Sequence, residues 1–124
     1  MSVSFALMKE RVARKLGVLA VGNSLSAEDG DLIAERCLSL QKQLEALEIV
    51  TLDFEAGIDE LYDDIISAMV AALLVDDFML PEPKRTKIAQ EGILGLPAAS
   101  PAERRLRKVL APMRVSKPVR AEYF

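Results

Sequence analysis

Apolar side chains recur at Ile33, Cys37, Leu40, Leu44 and Leu47, in 4-3-4-3 steps. That spacing predicts a helix over residues 27–47 with one continuous stripe, the seam of a helix packed lengthwise on other helices. At about 1.5 Å per residue it would be roughly 30 Å long, the width of a small domain. A chain of 124 residues then has room for one such domain. Hydrophobic residues make up 51% of it, against 5% aromatic, so the core must be mainly aliphatic.

Four further helices are predicted around this one. Phe5, Met8, Val12 and Leu16 recur at helical spacing, with Ser4 placed to cap the start and Gly17 to end the helix in the left-handed conformation. Ser26 caps the long helix, and Asp29 stands where an acid favours a helix start. Residues 48–58 are expected to form a loop or a short strand, since the β-prone Ile49-Val50-Thr51-Leu52 has no second convincing strand to pair with. A third helix is expected from Asp59 to about Met79. Leu61, Ile65, Met69 and Leu73 make one face, and Ile66, Val70 and Leu74 widen it until the helix must be central. Pro81-Glu82-Pro83 breaks the chain, and a fourth helix runs from Lys84 to about Leu94. Ser100-Pro101-Ala102-Glu103 is a strong start signal: an N-cap serine, a proline at the first helical position and a glutamate at the third. The fifth helix is expected to stop at Pro112. The predicted architecture is all-α, a small bundle of four to five helices over residues 1–95, followed by a helix and extended C-terminal arm over 96–124.

Composition narrows the chemistry. Histidine is absent and Cys37 is the single cysteine. No His-based acid–base pair, nucleophile–His dyad or His-bearing zinc site can be built within this chain. A lone cysteine forms no internal disulfide. Cys37 falls on the apolar stripe, as expected of a small buried hydrophobe. Asp59, Glu60, Asp63 and Asp64 crowd a predicted helix start. They could gather Mg²⁺ or Ca²⁺, but acids there also complement the helix dipole, and no D-x-D-x-D-G loop is present. Asp76-Asp77 sits near a helix end, where acids need a cation, with Lys84 or Arg85 as candidates. Gly92-Ile93-Leu94-Gly95 lacks the spacing of a phosphate loop. The expectation is no enzyme, no metal and no cofactor. Residues 1–16 mix charges into their apolar positions, unlike a signal peptide, and the apolar run 65–75 is too short for a membrane span.

Charge is segregated along the chain. Residues 26–82 hold fifteen acids against two bases, Arg36 and Lys42. Residues 101–124 hold seven bases against Glu103 and Glu122. These bases are threaded with Leu106, Val109, Leu110, Met113, Val115, Val119, Tyr123 and Phe124, more apolar content than a solvating tail carries. Copies of such a polar object would attract head to tail. The acidic body disfavours wrapping of nucleic acid, so any DNA contact is expected near the C-terminal part.

The order of features resembles a known family. One helix ends in Ala13-Arg14-Lys15-Leu16-Gly17-Val18. A leucine-striped helix follows, then Ala56-Gly57-Ile58, an apolar central helix, and a helix with Lys84, Lys87-Ile88-Ala89 and Gly92. Over roughly residues 5–92 this is similar to the head-to-tail adaptors of tailed phages, also called connector, packaged-DNA stabilisation or tail accessory proteins. The resemblance implies a structural virion protein at the head–tail junction, made in the host cytoplasm. Its subunits would form a homo-oligomeric ring, typically a dodecamer, below the portal protein. The ring would extend the DNA channel, with DNA only as channel contents and no membrane contact, and would receive the next tail component. The partner-binding residues, toward portal or neighbouring subunit, would be Arg104, Arg105, Leu106, Arg107, Leu110, Met113, Arg114, Val119, Tyr123 and Phe124. The connection between the second and third helices is short where relatives can carry an insertion. The part after Gly95 matches no motif of the family, so the arm rests on composition and position. The alternative expectation is a small helical DNA-binding regulator using the basic C-terminal helix; a third is an enzyme built on the acid cluster.

Overall fold

A computed structural model describes residues 2–19, 22–94 and 97–115. Among them are five helices, α1 (Phe5–Leu16), α2 (Ala27–Ala46), α3 (Glu60–Leu74), α4 (Lys84–Gly92) and α5 (Pro101–Val115). A two-residue pair of strands, β1 (Ser2–Val3) and β2 (Ile58–Asp59), completes the set. The all-α architecture expected from the sequence is the one observed.

The central position of α3 follows from its composition. Ile65, Ile66, Ala68, Met69, Val70, Ala71 and Leu74 are all buried, so apolar surface wraps most of its circumference. The other four helices cover it: α3 packs against α1, α2, α4 and α5. The predicted stripe on α2 holds for Ile33, Cys37, Leu40 and Leu44, which are buried, whereas Leu47 lies past the helix end and is half exposed.

Caps explain the helix bounds. Ser4 and Ser26 accept hydrogen bonds from the Leu7 and Asp29 amides, both at 3.2 Å. At the end of α1, Gly17 (φ 79°) donates to the Arg14 carbonyl and Val18 to that of Ala13, the paired bonds of a Schellman turn. The same two bonds close α2, with Glu48 (φ 58°) in the left-handed position, although it is not a glycine. They recur at Met79 (φ 50°), which donates to Asp76 while Leu80 donates to Val75. The expected helix to Met79 is therefore an α-helix to Leu74 followed by turns that carry helical hydrogen bonding on to residue 79.

Three points refine the expectations. First, of loop or short strand, the loop holds: the β-prone residues 49–52 form no strand, Ile49 and Leu52 turn inward, and the loop delivers Phe54 to the core. Phe54 is fully buried, its ring centroid 5.7 Å from that of Phe5 and its amide donating to Gln41 Oε1 at 3.2 Å. The strand pairing ties residues 2–3, ahead of α1, to the end of this loop, Val3 opposite Ile58. Second, α4 ends at Gly92, where Ile93 becomes extended, rather than at about Leu94. Third, Pro112 does not stop α5, which continues to Val115. A proline deletes one helix hydrogen bond. The carbonyl it leaves free belongs to Lys108, an exposed residue, where water can take that bond.

The division at residue 95 is also revised. Ala102, Leu106 and Leu110 of α5 are buried against the bundle, and α5 packs on α3 and α4. Burying a leucine side chain stabilises by about 1.5–3 kcal/mol. Peeling α5 away would therefore forfeit several kcal/mol, so the helix is part of the folded body.

The seat of α4 depends on Gly92. A Cβ at this position would stand 2.4 Å from the Ala68 carbonyl oxygen and 2.8 Å from Met69 Cα, both backbone atoms of α3. Gly92→Ala is expected to lower unfolding free energy by about 2 kcal/mol, through forced separation of α4 from α3. Urea denaturation measures this, and an unchanged midpoint would mean the two backbones do not approach so closely.

Candidate partner interface

The surface of α5 begins with its cap. Ser100 Oγ accepts from the Glu103 amide at 3.3 Å, and Pro101 takes the first helical position as the sequence implies. The Glu103 side chain does not reach back to complete a reciprocal capping box. It turns along the helix to Arg107, whose Nε and Nη2 donate to Oε2 at 3.1 and 3.0 Å. With Ala102, Leu106 and Leu110 facing inward, Arg104, Arg105, Arg107 and Lys108 are left exposed.

Two of these arginines are committed to the fold. Arg107 holds Glu103. Arg105 bridges helices, with Nη2 3.0 Å from Glu91 of α4 and Nη1 3.5 Å from Asp64 of α3. Asp64 also receives Lys15 of α1 at 2.7 Å. One carboxylate thus ties α1 to α5 across the first turn of α3. The Lys15 hydrogen bond, with Arg105 adding to it, holds the Asp64 carboxyl below the usual aspartate range. Asp59 and Asp63 of the acid cluster are likewise used locally, while Glu60 is exposed and makes no ion pair among the described residues. Asp59 caps α3 by accepting from the Leu61 amide at 2.9 Å, and the largely buried Asp63 pairs with Arg11 of α1. Among the described residues no group of three or more His, Cys, Asp or Glu side chains is arranged to hold a metal ion. At the other end of α3, Arg85 meets Asp76 at 3.1 Å, as the sequence suggested, while Asp77 is served by Arg36 of α2 through Nε at 3.0 Å and Nη2 at 3.3 Å.

What remains is a basic groove between α4 and α5. Lys87, Arg104 and Lys108 make no ion pair among the described residues; Arg104 donates to the Ala99 carbonyl at 2.7 Å. Pro83, Thr86, Lys87, Gln90, Glu91, Pro101 and Arg104 line an open depression of about 560 Å³, and Arg104, Arg105 and Lys108 line a second one beside it on α5; Glu91 is paired with Arg105. Lys84, one turn before Lys87, packs its ammonium over Gly17, beside the negative end of the α1 dipole. The α4 lysines were not among the residues expected at a partner surface. Their signal was visible as three bases within residues 84–87, but only folding sets them beside α5.

The expected partner residues therefore separate. Arg104 borders the groove. Arg105 and Arg107 are exposed but engaged in ion pairs within the bundle. Leu106 and Leu110 are corrected: they belong to the protein's own core and offer no free apolar anchor, because the hydrophobic stripe of an amphipathic helix packs on its nearest apolar neighbour, here α3. Met113 and Arg114 lie in the last turn of α5, beyond the described side chains. Val119, Tyr123 and Phe124 fall outside the described residues.

The bases of the groove have a counterpart on another flank of α3. Glu28, Asp31, Glu35 and Glu45 of α2 are exposed and make no ion pair among the described residues. No described helix is long and apolar enough to cross a membrane. Fold and surface together define an all-helical bundle with an acidic flank and a basic groove. Comparison of the chain with family models, curated proteins and solved structures returns no match.

Asp64→Asn is expected to destabilise by about 0.5–1 kcal/mol at neutral pH, a modest value because the carboxylate is mostly exposed. Its carboxyl titrates lower in the folded state than in the unfolded one. The contribution is thus present above the unfolded value and is lost as pH falls through the folded one. Denaturation midpoints of parent and variant should converge in acid; a constant gap down to the lowest pH would contradict the ion-pair origin. For Cys37, burial pushes the thiol up to about 12. Thiol reagents should leave the native protein unmodified at mildly alkaline pH and label it once denaturant is added. Rapid native labelling would place Cys37 outside the core.

Proposed function

We propose that this chain is a structural assembly protein, a head-to-tail adaptor that forms a ring below the portal of a tailed phage, extends the DNA channel and joins the tail. The observation that carries the reading is the separation of uncompensated charge: on α2 the acids Glu28, Asp31, Glu35 and Glu45 outnumber the one base unpaired among the described residues, Lys42, while bases line the α4–α5 groove on a different flank of α3. Two unlike patches on one subunit favour heterologous contact, and such contacts close into rings when the rotation between copies permits. The all-helical bundle and the Arg14-Lys15-Leu16-Gly17-Val18 helix end agree with the resemblance to the adaptor family. In this reading residues 116–124 supply the contact to the portal, replacing the buried leucines of α5 as apolar anchors. An arm that binds weakly alone binds strongly when a ring presents many at once. The next tail component would dock on the assembled ring.

A second reading is supported by the groove itself: Lys87, Arg104 and Lys108 could meet DNA phosphates, as in a small helical regulator. A helix-turn-helix needs a tight turn before the recognition helix. Here eight residues, 93–100, separate α4 from α5.

The test is particle mass. The purified full chain, mixed with the portal, should sediment as a ring-on-portal complex. Removal of residues 116–124 should leave thermal unfolding unchanged and abolish portal binding. Portal binding by the truncated chain at full strength would refute the role of the arm, and salt-sensitive binding to duplex DNA without any portal complex would favour the regulator.

A further inference from the structure

Among the charges that the bundle's ion pairs leave unused, an acidic row on α2 and a basic set on α4 and α5 match in spacing. On α2, Glu28, Asp31 and Glu35 follow one another at three and four residues, so they lie along one face of the helix. On α5, Arg104 and Lys108 are four residues apart, and on α4, Lys87 lines the same depression as Arg104. At about 1.5 Å per residue, the step from Asp31 to Glu35 and the step from Arg104 to Lys108 are both about 6 Å. The depression between α4 and α5 is open, and the neighbouring one carries Arg104 and Lys108 along α5.

From this juxtaposition we infer that the α4–α5 groove receives the acidic face of α2 from a second copy of the chain. Asp31 and Glu35 are set against Arg104 and Lys108, and Glu28 lies toward Lys87. The inference rests on the assembly reading above and specifies its subunit contact. Each copy offers one acid face and one basic groove, so every contact is the same heterologous joint and the polarity of the chain of subunits is fixed. Like faces repel, which rejects the symmetric back-to-back dimer. A second copy suits the groove better than nucleic acid does. The α2 face supplies negative charge at intervals that match Arg104 and Lys108. The hydrogen bond from Arg104 to the Ala99 carbonyl holds that guanidinium at the groove edge before any partner arrives.

Charge exchange between faces tests the joint. Two variants of the full chain are needed, Arg104→Glu with Lys108→Glu, and Asp31→Lys with Glu35→Lys. All four side chains are exposed, and circular dichroism with thermal melting checks that both variants fold. Sedimentation velocity or mass photometry reads the assembly. Each variant alone should self-associate at least about tenfold more weakly than the parent, since like charges then face each other. An equimolar mixture of the two should recover parent-like assembly, because each reversed face finds its complement on the other variant. Parent assembly should also weaken with rising salt.

If both variants assemble as well as the parent, the contact lies elsewhere and this inference fails while the adaptor reading stands. Assembly that follows the charge exchange but never engages a portal sinks the adaptor reading and keeps the joint. A parent chain that stays monomeric at every concentration, alone and with the portal, overturns both. Unchanged self-association, combined with duplex DNA binding that the Arg104→Glu/Lys108→Glu variant loses, assigns the groove to nucleic acid instead.

Discussion

The whole arrangement depends on covering α3. A helix with apolar side chains around most of its circumference cannot present a wet face, so four partners are recruited to enclose it. Small residues decide how closely they come. Ala68 and Ala71 on α3, with Gly92 on α4, let two backbones approach nearly to contact. The stability at stake is burial energy, about 1.5–3 kcal/mol for each large aliphatic side chain. That outweighs any one of the surface ion pairs, which are worth about 0–1 kcal/mol each. The salt bridges therefore align the helices that the core has already brought together.

That ranking explains the fate of the charged residues. Once apolar stripes are committed inward, the opposite faces of the helices are fixed, and charges pair with whatever lies beside them. Asp64 joins α1 to α5, Asp76 and Asp77 join the end of α3 to α4 and α2, and Arg105 adds Glu91. Three of the four acids crowded at the start of α3, Asp59, Asp63 and Asp64, are consumed as a cap and as ion pairs, which leaves only Glu60 unpaired there among the described residues. The residual charge, acid on α2 and base along α4–α5, is what the bundle shows to a partner.

Much of this was legible in order. The 4-3-4-3 stripe located α2, the serine caps located three helix starts, and the broad apolar face of α3 announced its central place. The loop of residues 47–57 was not legible. Phe54 is a lone aromatic without periodicity, and only its meeting with Phe5 and Gln41 makes it a core residue. The strand pair escaped for a similar reason, since two residues are too few to show alternation. Glu48 and Met79 stand in left-handed positions that glycine usually marks, so the ends they form carried no residue signal.

At the partner surface the sequence revealed the sign and the crowding of charge in α5, and the amphipathic spacing that splits Leu106 and Leu110 from the arginines. It did not reveal which side of that helix would remain free. By itself the sequence determined the helices, their caps and the inward stripes, because these follow from neighbours three and four residues apart. Only the tertiary structure decided that α5 closes the core rather than leaving it, that Lys87 lies beside Arg104, and that Arg105 is already engaged. Those outcomes depend on contacts between residues far apart in the chain, and a one-dimensional pattern of polarity does not encode which apolar faces meet.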